Sequence, residues 1–276
     1  MRSGFMTSPP TAKRKGCRGC REGVPSPEFT MAFQPIVDVV TGETYAYEAL
    51  VRPLGGGGGA MDVLNQVTDD NRYTFDQACR VKAITLASQL GMQSFLSINF
   101  LPNAVYQPAA CIQLTLESAA RAQFPLHHII FEVTESEPTR DPEHLARIFA
   151  EYKRHGMLTA IDDFGAGHSG LNLLAQFQPD IVKIDMALTR NIHTDRTKRV
   201  ITRSIVTMCM DLGISVIAEG IECAEESVAL IDLGVRLFQG YFFARPAVEQ
   251  LPVVAPDLFV SLERQLETAL LLQSGT

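Results

Sequence analysis

The chain predicts an α/β fold, a TIM-like (β/α)8 barrel with a reversed, antiparallel first strand. Three observations carry that expectation. From Phe29 onward, short apolar runs alternate with longer amphipathic stretches, as strands interleaved with helices do. The strand candidates number eight, and a 276-residue chain accommodates one barrel of about 250 residues as readily as two domains of roughly 150. Only Val40–Gly42 separates the first two strands, too little for a crossover helix, so that pair should be an antiparallel hairpin. An open doubly wound sheet is the runner-up.

In chain order, strands are expected at Ala32–Val39, Thr44–Arg52, Phe95–Asn99, Ile129–Val133, Thr159–Asp162, Ile181–Ile184, Ser215–Ala218 and Leu237–Gln239. Helices are expected at Thr74–Leu90, Pro108–Gln123, Pro142–His155, Gly170–Phe177, Arg196–Leu212, Ala224–Leu233 and Asp257–Leu271. Gly91, Gly156, Gly213 and Gly234 each stand where a helix should stop. The glycine run Gly55–Gly59 is followed by no Gly-Lys-Ser/Thr, so it reads as a flexible connector and not a phosphate loop. Residues 1–28 hold six basic residues against Glu22 and Glu28 and few apolar ones, which marks a flexible basic tail. Its Cys17 and Cys20 form a C-x-x-C with no second ligand pair nearby, so a tail is favoured over a zinc knuckle. Residues 29–276 then form a single domain.

Composition narrows the function. A net charge of −7 with 46% hydrophobic residues excludes collagen-like, coiled-coil and disordered classes. It also argues against DNA or anionic membrane as a general partner. Ala83–Leu116 contains no charged residue, but its glutamines, asparagines, Gly91, Pro102 and Pro108 exclude a membrane span. No apolar segment follows the basic N-terminus, and Cys79, Cys111, Cys209 and Cys223 show no disulfide spacing; a cytoplasmic location is expected.

Chemistry in such a barrel sits at the C-terminal ends of the strands. Those ends bring Glu48 and Arg52, Asn99, Glu132 and Glu135, Asp162 and Asp163, Lys183, Glu219 and Glu222, and Gln239 toward one rim. A carboxylate after one strand is usually a helix cap or a solvated residue. Consecutive strands ending in acid, amide or lysine are harder to explain that way. Converging carboxylates repel one another, and divalent cations relieve the repulsion. Hard oxygen donors suit Mg²⁺ or Mn²⁺ over zinc. Glu48, Asn99, Glu132 and Asp162 could hold one ion, with Asp162 bridging to a second held by Asp163. Such a pair, roughly 3.5–4 Å apart, supports in-line phosphoryl displacement by water.

These residues, in this order, resemble the EAL-domain family of cyclic-di-GMP phosphodiesterases, from Phe33-Gln34-Pro35 through Glu48-Ala49-Leu50 to Arg245-Pro246. The resemblance implies hydrolysis of cyclic di-GMP to linear pGpG with two Mg²⁺ or Mn²⁺ ions, Ca²⁺ being inhibitory or non-supporting. It implies that Glu48, Asn99, Glu132 and Asp162 bind the first metal. It implies that Asp162 and Asp163, with Glu219, bind the second. Lys183 corresponds to the lysine beside the attacking water, Gln239 to a glutamine near it, and Arg52 to an arginine on substrate phosphate. Gln34 and Pro35 fall near a guanine pocket. Glu135 and Glu222 correspond to loop-supporting acids. A homodimer through Arg196–Leu212 and the loop after strand five is implied too. No GGDEF, PAS or receiver-like domain is expected in the rest of the chain, which leaves an oligomer equilibrium, the basic tail or a separate regulatory protein partner as the expected input. The loop departs from the family pattern at Ala166, His168 and Gly170. The alternative is a non-catalytic module that binds cyclic di-GMP or a protein.

Overall fold

A computed structural model describes residues 27–135, 142–167 and 170–274. The Cys17–Cys20 pair and His168 lie outside the described residues. The strands are β1 (Phe29–Asp38), β2 (Glu43–Pro53), β3 (Phe95–Asn99), β4 (Ile129–Thr134), β5 (Leu158–Phe164), β6 (Ile181–Ile184), β7 (Ser215–Ala218), β8 (Leu237–Phe238) and β9 (Ala247–Val248). Their order is β2-β3-β4-β5-β6-β7-β8-β1, and β1 also pairs with β2, so the sheet closes into an eight-stranded barrel. β1 runs antiparallel to both neighbours, and every other barrel pairing is parallel. The short turn after Asp38 allows this hairpin, with Gly42 at φ +70° accepting the left-handed conformation that closes it. β9 was not expected: it is a two-residue strand that lies antiparallel to Ala32 and Phe33.

The helices are α1 (Ala60–Leu64), α2 (Arg72–Gln89), α3 (Pro108–Cys111), α4 (Gln113–Ala122), α5 (Pro142–Arg154), α6 (Gly170–Gln176), α7 (Met186–Thr189), α8 (Arg196–Asp211), α9 (Ala224–Ile231) and α10 (Pro256–Ser274). Two expectations need correction. The helix expected over Pro108–Gln123 is broken at Ile112 into α3 and α4. The glycine connector runs directly into α1, which Asp62 stabilises by accepting the Gly59 N–H at 2.7 Å while Val63 is buried beneath it.

The barrel interior is layered. Its floor is apolar: Ile36, Ala46, Ile130, Ala160, Ile181, Ile217 and Leu237, packed with Tyr45, Phe95 and Leu158. Every strand from β1 to β8 contributes at least one of these. Side chains on one face of a strand recur every second residue. The next inward position is therefore two residues toward the C-terminal end on β2 to β8, and two residues back on reversed β1. Counting from Ile36, Ala46, Phe95, Ile130, Ala160, Ile181, Ile217 and Leu237 gives Gln34, Glu48, Ser97, Glu132, Asp162, Lys183, Glu219 and Gln239. All eight are polar. The rim chemistry is thus a second layer resting on a hydrophobic floor.

A separate polar cluster lies in the helix–sheet interface. On α2, Asp76 and the fully buried Arg80 pair at 2.8 Å one turn apart. Arg80 Nη1 also donates to Tyr152 Oη at 2.8 Å, its guanidinium carbon sits 4.9 Å from the Phe131 ring centroid, and Asp76 accepts the Leu101 N–H at 2.9 Å. Removing one partner of such a pair strands the other charge. Asp76→Ala is expected to destabilise the fold by about 3–5 kcal/mol. Urea denaturation checks this, and an unchanged midpoint would mean that Arg80 finds another acceptor.

Candidate functional site

Lys183 anchors the polar layer. Its side chain is fully buried, and Nζ lies 2.8 Å from Glu219, 2.9 Å from Asp162, 3.1 Å from Glu132 and 3.4 Å from Glu48. The Asp162 contact is an ion pair without hydrogen-bond geometry, and Asp162 Oδ1 makes no hydrogen bond among the described residues. Glu48 accepts Asn99 Nδ2 at 2.9 Å and Gln239 Nε2 at 2.7 Å, while Glu132 accepts the Ser97 hydroxyl. Gln239 Nε2 also reaches Gln34 Oε1 at 3.2 Å, so β1 is tied into the same network.

One ammonium does not satisfy this many carboxylates. Burial, assisted by Glu48 and Asp162 and opposed by Lys183, pushes Glu132 up to about 8. Burial and then Asp162 hold Glu219 well above the ordinary carboxylate range. Burial and then Asp162 and Asp185 push Asp163 to about 6. For Lys183, burial favours the neutral amine, but Asp162, Glu132, Glu219 and Glu48 outweigh it and keep the ammonium charged. The crowded carboxyls therefore hold on to protons, which bound cations would replace.

Asp163 owes its place to a backbone irregularity. Successive residues on a regular strand face opposite sides. Here the β5–β6 register shifts between Ile161 and Phe164, and Asp163 takes φ +53°. That bulge brings Asp162 and Asp163 to the same cleft. Two acidic triads result, Glu48/Glu132/Asp162 and Asp162/Asp163/Glu219, each with its ligand oxygens within 4.8 Å. They share Asp162. An all-oxygen donor set of this kind fits hard divalent cations such as Mg²⁺ and Mn²⁺.

The cleft above the layer has a volume of ≈ 320 Å³. Gln34, Glu48, Asp162, Asp163, Glu219, Glu222 and Gln239 line it, as do Asp185, Arg190 and Tyr241, which sequence reasoning did not single out. Arg190 pairs with Glu222 at 2.8 Å, and its Nε is buried without a partner among the described residues. It follows α7, a single turn too short to show periodicity. Gly240 is needed at the cleft wall because a Cβ there would meet the Ile221 carbonyl oxygen at 2.1 Å. Arg52 and Pro35 are not brought to the cleft. Arg52 donates to the neighbouring Val51 carbonyl at 2.7 Å, and Pro35 is buried in β1 opposite Tyr47.

Glu135 stands beside the loop that follows β5. Its carboxylate accepts the N–H groups of Gly165 at 2.8 Å, Gly167 at 3.2 Å and Gly170 at 2.7 Å. A Cβ on Gly170 would meet Phe164 at 2.6 Å and the Glu135 carboxyl at 3.1 Å, so glycine is what permits this close approach.

A closed barrel with one reversed strand and this ordered polar layer defines the class. The sequence profile of the EAL domain matches residues 20–246, and the chain belongs to that family. The chain is 37% identical over 226 residues to the blue light- and temperature-regulated antirepressor BluF of Escherichia coli, covering 81% of this chain and 56% of BluF. It is 35% identical over 169 residues to the cyclic di-GMP phosphodiesterase RocR of Pseudomonas aeruginosa, covering 59% and 41%. The chain spans about half or less of the length of these curated relatives. Among solved structures, a standalone versatile EAL protein from Vibrio cholerae O395 in its c-di-GMP bound form is 53% identical with a TM-score of 0.82, covering 85% of this chain and 99% of that one. Klebsiella pneumoniae BlrP1, in its manganese and cyclic-di-GMP complex, is 37% identical with a TM-score of 0.76, covering 83% and 58%. Among the described residues, no helix is long and apolar enough to cross a membrane.

Proposed function

We propose that the chain is a metal-dependent phosphodiesterase that hydrolyses cyclic di-GMP to linear pGpG. The observation that carries this reading is the pair of acidic triads sharing Asp162 at the floor of an open cleft. Glu48, Glu132 and Asp162, with Asn99, would hold one divalent cation, and Asp162, Asp163 and Glu219 the other. When bound, such cations supply an activated water and charge stabilisation for in-line displacement at phosphorus.

The chain's own side chains do the rest. Lys183 holds its proton and offers an N–H to the attacking oxygen or the developing phosphoryl charge. Gln239, held by Glu48 and Gln34, orients polar groups at the cleft floor. Arg190 places a guanidinium at the wall, where an anionic substrate gains charge-assisted hydrogen bonds. Arg52 joins it only if its side chain leaves the Val51 carbonyl. This work is done within one domain, residues 29–276, behind the basic tail. The exposed Leu171 on α6 and Val200 and Ile201 on α8 support a homodimer through that face.

The direct test is incubation with cyclic di-GMP and Mg²⁺ or Mn²⁺, separating pGpG from GMP. Ca²⁺ is expected to bind and support little turnover, because its ligand distances of roughly 2.3–2.6 Å exceed the 2.0–2.1 Å or so of Mg²⁺. Equal rates with the two ions would show that ligand spacing is not limiting. The second reading, a non-catalytic regulatory module, draws on the likeness to an antirepressor. Binding of cyclic di-GMP with no pGpG under either Mg²⁺ or Mn²⁺ would favour it.

The Glu135 brace also bears on turnover. Glu135→Ala leaves three loop N–H groups without their acceptor, and Asp163 loses its support. Turnover is expected to fall about 10–100-fold, the range for groups that orient ligands, with a higher Mn²⁺ requirement. Kinetics across Mn²⁺ concentrations check this, and an unaltered Mn²⁺ dependence would remove the brace from the mechanism.

A further inference from the structure

We propose that His193, Cys223 and Glu226 form a separate cation site, selective for zinc, behind the wall of the acidic cleft. His193 lies between α7 and α8, Cys223 is the N-cap of α9, and Glu226 is in the first turn of α9. One ligand atom from each lies within 4.8 Å of the others. The donor set of imidazole nitrogen, thiol sulfur and carboxylate oxygen differs in kind from the all-oxygen triads of the barrel. Thiolate and imidazole select zinc over Mg²⁺ or Mn²⁺.

Two features point to a ligand here. His193 Nδ1 is shut away from solvent and makes no hydrogen bond among the described residues. A buried ring nitrogen without a partner is a cost that a cation or donor would remove. The Glu226 carboxylate is already fixed: one oxygen accepts the Asn191 N–H at 2.7 Å, the other the Glu222 N–H at 2.9 Å. Each oxygen keeps a lone pair for a metal. Ligand atoms around tetrahedral zinc stand roughly 3.3–3.8 Å apart, given bonds of about 2.0–2.3 Å. Closing the triad takes about an ångström, which rotation of the half-buried His193 and Cys223 side chains supplies. Binding replaces the S–H bond by a metal–thiolate bond and releases the proton to solvent. Water takes the fourth position.

The position gives such a site a readout. The two N–H groups that hold Glu226 belong to residues beside and within the Arg190–Glu222 ion pair, and both of those side chains line the acidic cleft. A cation on Glu226 acts on the cleft wall through that backbone, without entering the cleft.

The test uses the full chain carrying Cys17→Ser and Cys20→Ser, which removes the tail thiols, in excess Mg²⁺ to fill the oxygen sites. Titration with Co²⁺, a spectroscopic probe for zinc sites, should give a thiolate-to-cobalt charge-transfer band that saturates at one ion per chain and is displaced by Zn²⁺. Adding Cys223→Ser should abolish the band and weaken Zn²⁺ binding at this site by at least about 100-fold, as expected for loss of a ligand itself where groups that merely orient one cost 10–100-fold. Serine is a favoured N-cap, so this variant keeps α9. His193→Ala should likewise lose the one-ion saturation. Absence of the band in the starting protein, or its survival after Cys223→Ser, would overturn the assignment.

Discussion

Glu48→Ala is expected to lower turnover of cyclic di-GMP by at least about 10³-fold, a loss near 4 kcal/mol in transition-state stabilisation at about 1.36 kcal/mol per tenfold. Glu48 is where the network converges. It accepts Asn99 and Gln239, touches Lys183, and belongs to the first acidic triad. Alanine removes both oxygens without adding bulk. The hydrophobic floor beneath is untouched, so the variant should melt as a folded barrel. Rate and metal titration, measured together on purified protein, check the expectation. Near wild-type turnover at saturating Mn²⁺ would show that the first triad is not the site of the reaction.

Lys183→Met should separate two roles. Nζ makes close contacts with four carboxylates, so losing it leaves their negative charge uncompensated in a buried layer. Metal-free protein is expected to lose about 3–5 kcal/mol of stability, the usual cost of breaking a buried pair. Mn²⁺ should recover most of that loss by binding the folded state alone, so the Mn²⁺-induced rise in Tm should be larger in the variant than in the wild type. Turnover should stay about 10²–10³-fold low even when metal is saturating, the range for losing one positioned hydrogen-bond donor to developing charge. A variant that melts like wild type without metal, and whose Tm responds no more strongly to Mn²⁺, would show that the lysine is not the internal counter-ion.

Most of the polar layer was legible in the sequence because strand periodicity is rigid. Each apolar floor residue and the polar residue two positions along belong to the same inward-facing row, and on reversed β1 the count runs backward to Gln34. Glu132 and Lys183 need nothing else to be placed. Asp163 does, because alternation alone would turn it away from Asp162, and only the bulge and its left-handed backbone bring it round. Arg190 was missed for a different reason. It leaves a four-residue helix whose existence depends on Asp185 capping Ala187 and on packing, which no periodic pattern announces. The break at Ile112 and the short α1 are likewise decided by tertiary packing, since Ile112 and Val63 are both wholly buried. Arg52 marks the limit from the other side: its position in the chain suggested the cleft, but its side chain turns to its own backbone.

The hydrophobic floor has a kinetic consequence. Among the described residues it fills the barrel at the end opposite the rim, and the cleft lies on the rim side of it. On the proposed function, the linear product and the next cyclic substrate share that one cleft. Occupancy by the two is mutually exclusive, and inhibition by accumulated product should raise the apparent KM while leaving the maximal rate intact.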